Sequence, residues 1–243
     1  MKLAYLSLAP VALAAFAGCA DSQPAPRLQG QTSQQQVVQE SRTTVLSAQA
    51  EAAVQAREAT GERETAVFAG GCFWCTEADF EKVPGVVEAV SGYTGGDTAD
   101  PNYRQVTGGG TGHYEAVEVT YDPGLVSYAE LVDYYFRTID PTDPRGQFCD
   151  KGSSYRTAVF ATPEQIAIAR AELDEVKATK PFEADVVTPV LPAGEFYDAE
   201  DYHQDYYKKN RVKYGFYRQG CGRNARLEEL WGEDALSFRP AIN

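Results

Sequence analysis

From residue 63 onward, apolar and polar positions fall into short blocks whose period changes from two to about 3.6 and back. ETAVFAGG (64–71) is an apolar run closed by glycines and predicts a strand. CFWCTEADFEK (72–82) spaces Phe73, Phe80 and Val83 along one inward face and predicts a helix with acidic early turns, stopped by Pro84-Gly85. VVEAVSGYTGG (86–96) and HYEAVEVTYDPG (113–124) predict strands, with a loop over 97–112 between them. SYAELVDYYFRTID (127–140) predicts a helix capped by Ser127, and YRTAVFA (155–161) a fourth strand after a loop. A helix capped by Thr162 with Pro163 at its first position, a strand-like stretch over 183–192 and a last helix over 199–209 complete the pattern. The first six elements run strand, helix, strand, strand, helix, strand. That order predicts an α+β domain, a two-layer sandwich on a ferredoxin-like split βαβ core.

The first 62 residues carry a different pattern. Residues 1–18 hold Lys2 and an apolar stretch broken by Pro10, ending in small residues, and read as a signal peptide rather than a membrane span. Phe16-Ala17-Gly18-Cys19 resembles a bacterial lipobox, which implies lipidation of Cys19; Phe16 stands where an aliphatic residue is usual. Ala20 after it points to the outer membrane over the inner, with the protein facing the periplasm. Residues 19–62 are rich in Gln, Ser, Thr and Ala and read as a disordered tether, because they offer too little apolar surface to offset ordering entropy. This leaves 63–243 as the folded domain.

Composition narrows the function. A 43% apolar and 12% aromatic content can fill a core, while a net charge of −13 argues against nucleic-acid binding. The only methionine is Met1, so a processed chain would carry none. Avoidance of methionine fits a setting where it is oxidised.

The cysteines carry the chemistry. Cys72 stands where a strand hands over to a helix, a place where free N–H groups lower a thiol pKa and favour a nucleophile. Cys75 completes a C-x-x-C pair that also reads as a dithiol redox couple, and a structural disulfide between any two of Cys72, Cys75, Cys149 and Cys221 stays open. Zinc would need a second closely spaced pair, and with two histidines no metal site is expected. The glycines of TGGGTG precede a strand, so they are no nucleotide loop. Glu115 shares a strand face with Val117 and Val119, which desolvates its carboxyl and lets it keep a proton near neutrality. Aromatics at Phe73 and Trp74 fit either core packing or an apolar pocket.

The stretches GGCFWCTEADFEKVPGV, SGYTGG, NYRQVTGGGTGHYEAVEVTYDP, QFCDKGSSYRTAVF and FYDAEDYHQDYYKKN together resemble the peptide methionine sulfoxide reductase A family across about residues 64–231. The resemblance implies thiol-dependent reduction of methionine-S-sulfoxide in oxidised proteins and peptides, without metal or organic cofactor. It implies Cys72 as the nucleophile that becomes a sulfenic acid, Glu115 as proton donor, Tyr103 and Tyr155 as donors to the sulfoxide oxygen, and Asp150 as a further polar residue of the site. Phe73 and Trp74 become the pocket for the substrate methyl group. A second cysteine then forms an intramolecular disulfide that a thioredoxin-like reductant reopens. Three candidates stand in the order Cys221, Cys75, Cys149, the first because it lies in the glycine-rich C-terminal region. His113 and His203 are expected to support loops and packing. The protein is expected to act as a monomer.

Overall fold

The computed structural model describes residues 60–240. The signal, Cys19 and most of the proposed tether lie outside the described residues. Thr60 and Gly61, at the tether's end, are bound to the Asp122 carboxylate through their N–H groups and the Thr60 hydroxyl.

Eight strands are described: β1 Glu64–Gly70, β2 Val86–Thr94, β3 Tyr114–Tyr121, β4 Gly146–Gln147, β5 Asp150–Lys151, β6 Thr157–Ala161, β7 Val190–Pro192 and β8 Phe196–Asp198. Seven α-helices accompany them: α1 Phe73–Phe80, α2 Tyr103–Gly108, α3 Tyr128–Arg137, α4 Ile166–Thr179, α5 Tyr206–Lys209, α6 Arg211–Gly220 and α7 Arg223–Trp231. The fold is α+β. Six strands form a mixed sheet in the order β7-β6-β1-β3-β2-β8, and β4 and β5 form a separate two-stranded hairpin. Neighbours in the large sheet are antiparallel except β6 and β7. Among the described residues no helix is long and apolar enough to cross a membrane.

The sheet centre is the core. Phe68 of β1 is fully buried and stacks on Phe80 of α1 at 4.7 Å and on Tyr135 of α3 at 5.1 Å between ring centroids. The Tyr135 hydroxyl donates to the Ala69 carbonyl. Ser127 caps α3 as expected, in a capping box with Glu130. Thr162 caps the turn that leads into α4, but the regular helix starts four residues later, at Ile166.

Several elements escape the pattern. Helix α2 lies inside the segment expected as a loop, started by a capping box between Asn102 and Gln105. The last expected helix shrinks to four residues, and α6 and α7 follow it unexpectedly. Only three residues of the stretch 183–192 are strand, and β8 was unexpected. The acidic residues of α1 do not face water: Glu77 and Asp79 are each 1% exposed. Glu77 accepts from the Ser91 hydroxyl and the Asp205 N–H, and Asp79 is met by Arg218 at 3.0 Å.

Candidate active site

The chain leaves β1 through Gly70-Gly71 and enters α1 with Cys72 as the residue before its first turn. Gly71 has φ +80°, and a Cβ there would fall 2.4 Å from the Gln147 Cβ. Only glycine therefore allows this corner to pack against the β4 hairpin. Cys75 sits one turn on, its N–H bonded to the Cys72 carbonyl at 3.0 Å. Both thiols are free and buried, Cys72 at 6% and Cys75 at 2% exposure.

Their acidities invert the sequence-based expectation. Burial, the hydrogen bond to Cys75 and the negative charges of Cys75 and Glu115 push the Cys72 thiol well above its ordinary value. The hydrogen bond from Cys72 brings Cys75 down to about 7 against its own burial, helped by Arg223 and Arg218. The helix start alone therefore does not ionise Cys72. In the resting pair the proton belongs to Cys72 and the charge gathers on Cys75, above the cation pair that Asp79 holds. Arg223, 2% exposed, also donates to the Gly70 and Thr138 carbonyls. It thereby ties α7 to the end of β1.

Glu115 stands opposite Tyr93 in the β2–β3 register and is 1% exposed. One carboxylate oxygen accepts the Phe73 N–H at 3.1 Å, the first amide of α1. Burial still dominates and lifts its pKa to about 8, so the carboxyl keeps a proton at neutral pH. The Tyr155 hydroxyl is within hydrogen-bond reach of Glu115 and of the Tyr103 hydroxyl, and burial raises the pKa of both phenols. The phenols therefore act as neutral donors. Tyr103 opens α2, and its N–H is fixed by Glu200, which also accepts from the Tyr93 hydroxyl.

Asp150 begins β5, and Tyr217 of α6 donates to it at 2.5 Å. The Tyr217 hydroxyl also lies within hydrogen-bond reach of Cys72. Trp74 is half-buried and stacks on Tyr206 at 3.7 Å, nearly parallel, while its indole N–H donates to His203 Nδ1 at 3.0 Å. That bond leaves the His203 proton on Nε2. Phe73 is only 1% exposed and packs on His203 and Tyr103, so its ring underlies the site rather than facing it. His113 serves its loop, accepting the Gly96 N–H and donating to the Thr98 carbonyl.

Cys149 and Cys221 are bonded to each other. Among the described residues no group of four cysteines surrounds a metal position, and Cys75 is the thiol beside Cys72. The structure brings Cys72, Glu115, Tyr103, Tyr155 and Asp150, which sequence reasoning had singled out, around one centre. Sequence reasoning missed Tyr217, Glu200, Arg218 and Arg223. Arg223 and its helix had a readable signal, since ARLEELW repeats apolar residues at helical spacing after Gly222. Tyr217, one of 15 tyrosines, had none.

A family model described as "Peptide methionine sulfoxide reductase" matches residues 64–235. The chain is 54% identical over 175 residues to peptide methionine sulfoxide reductase MsrA 2 of Caulobacter vibrioides, covering 72% of this chain and 88% of that one. It is 52% identical over 176 residues to the Rhizobium meliloti protein of the same name, covering 72% and 87%. Among solved structures it is similar to methionine sulfoxide reductase A of Corynebacterium diphtheriae, with TM-score 0.58, 36% identity, and 62% and 76% coverage.

Proposed function

The chain belongs to the peptide methionine sulfoxide reductase A family and reduces methionine-S-sulfoxide in proteins, and on that premise we propose how its residues divide the work. The sulfoxide oxygen sits between the Tyr103 and Tyr155 hydroxyls and the protonated carboxyl of Glu115, and the methyl group lies against Trp74 and its Tyr206 stack. Cys75, already accepting a hydrogen bond from Cys72, takes the Cys72 proton. The Cys72 thiolate attacks the sulfur as Glu115 protonates the oxygen, methionine leaves, and Cys72 becomes a sulfenic acid. Atoms balance: one oxygen passes from the substrate to Cys72, and the two protons exchanged stay among Glu115, Cys75 and the new S–OH.

Cys75 then attacks the sulfenic sulfur, water departs, and a Cys72–Cys75 disulfide forms. The observation behind this assignment is the Cys149–Cys221 bond, which occupies the two other candidate thiols of the described residues. Cys75 thereby moves ahead of Cys221 in the order expected from sequence. A thioredoxin-like dithiol reopens the new disulfide. A peptide bearing both sulfoxide epimers, incubated with the protein and excess dithiol, tests the role of Cys72: the S epimer disappears while the R epimer persists, and with Cys72→Ser both epimers persist. Turnover by Cys72→Ser would refute it.

We also infer that Cys19 is lipidated and holds the catalytic domain at the periplasmic face of the outer membrane through the tether of residues 19–62, as a monomer. The supporting signs are the lipobox-like run before Cys19 and the polar composition after it. Incorporation of labelled palmitate that Cys19→Ser abolishes is the expected result; equal labelling of the variant would refute it. The split βαβ assignment of the core is supported by the order β6-β1-β3-β2 of its four strands.

A further inference from the structure

The Cys149–Cys221 disulfide lies where it can govern the nucleophile. Cys149 immediately precedes Asp150, and Cys221 ends α6 one helical turn after Tyr217, its N–H bonded to the Tyr217 carbonyl at 2.9 Å. The covalent bond thus runs alongside the 2.5 Å hydrogen bond between Tyr217 and Asp150, joining the same two backbone segments. The Tyr217 hydroxyl in that bond is the one that reaches Cys72.

Helix α6 needs such a tie. None of its ten residues is buried, and Val212 and Phe216 are each 72% exposed. It is held by the polar contacts of Tyr217 with Asp150 and of Arg218 with Asp79 and by ring contacts of Tyr217 with Trp74 and of Tyr214 with Tyr207, without a buried apolar face. On the other side, the turn of the β4–β5 hairpin is held by Phe148 under Arg223, 4.7 Å from the ring centroid. Access differs as well. Cys149 is exposed and Cys221 half-buried, while Cys72 and Cys75 are enclosed.

We propose that the Cys149–Cys221 disulfide is a redox-sensitive clamp: closed, it holds Tyr217 and Asp150 against Cys72 for the first chemical step, and opened by an external dithiol it releases them and slows that step. This rests on the assignment of Cys72 as nucleophile. Opening follows ordinary thiol–disulfide exchange. A thiolate of the dithiol attacks one sulfur of the pair and forms a mixed disulfide, and the other cysteine leaves as a thiolate. The second thiol of the donor then closes its own disulfide and frees the remaining cysteine. Two electrons and two protons pass from donor to clamp. Cys72 and Cys75 are thiols before and after, so the reaction centre keeps its oxidation state while its geometry changes. Tyr217 acts on the thiol directly; the disulfide is a positioning element.

The experiment compares one protein in two states. Closed protein, with the Cys149–Cys221 bond verified by mass mapping, and the same protein opened with dithiothreitol and desalted without oxygen are each mixed, in excess, with a methionine-S-sulfoxide peptide. The rate constant for methionine formation is then followed across pH. The open state should be slower by about tenfold, the worth of one hydrogen bond to an ionising group, with a displaced pH profile. Tyr217→Phe should slow the closed state by a similar factor, and opening should slow that variant little further. Equal rate constants and pH profiles in the two states would overturn the clamp while leaving the assignment of Cys72 intact. A full additional loss on opening Tyr217→Phe would show that the bond does not act through Tyr217 and would overturn it too. No methionine in either state would overturn the clamp together with the catalytic reading beneath it.

Discussion

Replacing Glu115 by glutamine separates the proton from the shape. Glutamine keeps an oxygen that can accept the Phe73 N–H, which Glu115 now accepts at 3.1 Å, so α1 should start at the same place. It cannot donate a proton as an acid. With a pKa of about 8, the Glu115 carboxyl is protonated in roughly nine molecules of ten at pH 7 and roughly one in ten at pH 9. The first-step rate constant of the native protein should therefore fall about tenfold across that interval through this group alone. Glu115→Gln should lose about 10²- to 10⁴-fold at pH 7, the usual worth of a positioned general acid, and should not show the alkaline fall. Stability gives an independent reading. The folded carboxyl holds a proton that the unfolded one gives up near 4.5, so its contribution is complete below pH 4.5 and is lost as pH rises through about 8. By pH 9 that loss is on the order of 5 kcal/mol. Glutamine does not titrate, so the variant should melt higher than the native protein at pH 9, with the difference closing toward pH 5. The assay is stopped-flow single turnover with parallel melting curves at pH 5, 7 and 9. Native-like rates in Glu115→Gln, or an alkaline limb that survives the substitution, would refute the reasoning.

Other outcomes follow from the same geometry. Cys75→Ser should still release methionine once per protein, more slowly because Cys72 has lost its proton acceptor, and should stop as a Cys72 sulfenic acid that dimedone traps; sustained turnover with a protein dithiol would contradict the assignment. Alkylation of the reduced C-x-x-C pair should show a first midpoint near 7 that belongs to Cys75, and Arg218→Gln should move it upward because one of its two cations is gone; an unmoved midpoint would discount the cations. Gly71→Ala should cost at least about 2 kcal/mol, since the left-handed corner is strained for alanine and its Cβ would overlap Gln147. Melting curves measure that cost, and an unchanged melting temperature would mean the corner is looser than described.

The sheet's four longer strands, β1, β2, β3 and β6, were legible because they carry either plain alternation or fully apolar runs, and both survive folding unchanged. Glu115 could be placed from the residues alone, since a carboxyl two positions from Val117 on one strand must share their burial. The C-terminal third was less legible. Helix α6 has no buried residue and its apolar pair Val212 and Phe216 faces outward, so its sequence does not show where it docks; polar contacts with residues far away in the chain help to hold it. The α2 segment reads as a loop because it is short and rich in turn residues, and its start, a local capping box of Asn102 and Gln105, is further held by Glu200, 97 positions after Tyr103. The acidity of Cys72 was misjudged for a related reason. A helix start favours a thiolate, but here the burial of the thiol and the charge on Cys75 outweigh it. The cations that draw charge to Cys75 come from α6 and α7, and although the helical spacing of α7 is readable, the pattern does not place either helix against α1.

The most direct test of the central claim is a mass map of the protein after one turnover. Protein with Cys72 and Cys75 reduced and Cys149 bonded to Cys221 is given one equivalent of methionine-S-sulfoxide peptide and no reductant, then quenched, alkylated and digested. One equivalent of methionine, a new Cys72–Cys75 disulfide and an undisturbed Cys149–Cys221 bond are the predicted result. Methionine formed with Cys72 joined to Cys149 or Cys221, or no methionine at all, would contradict it.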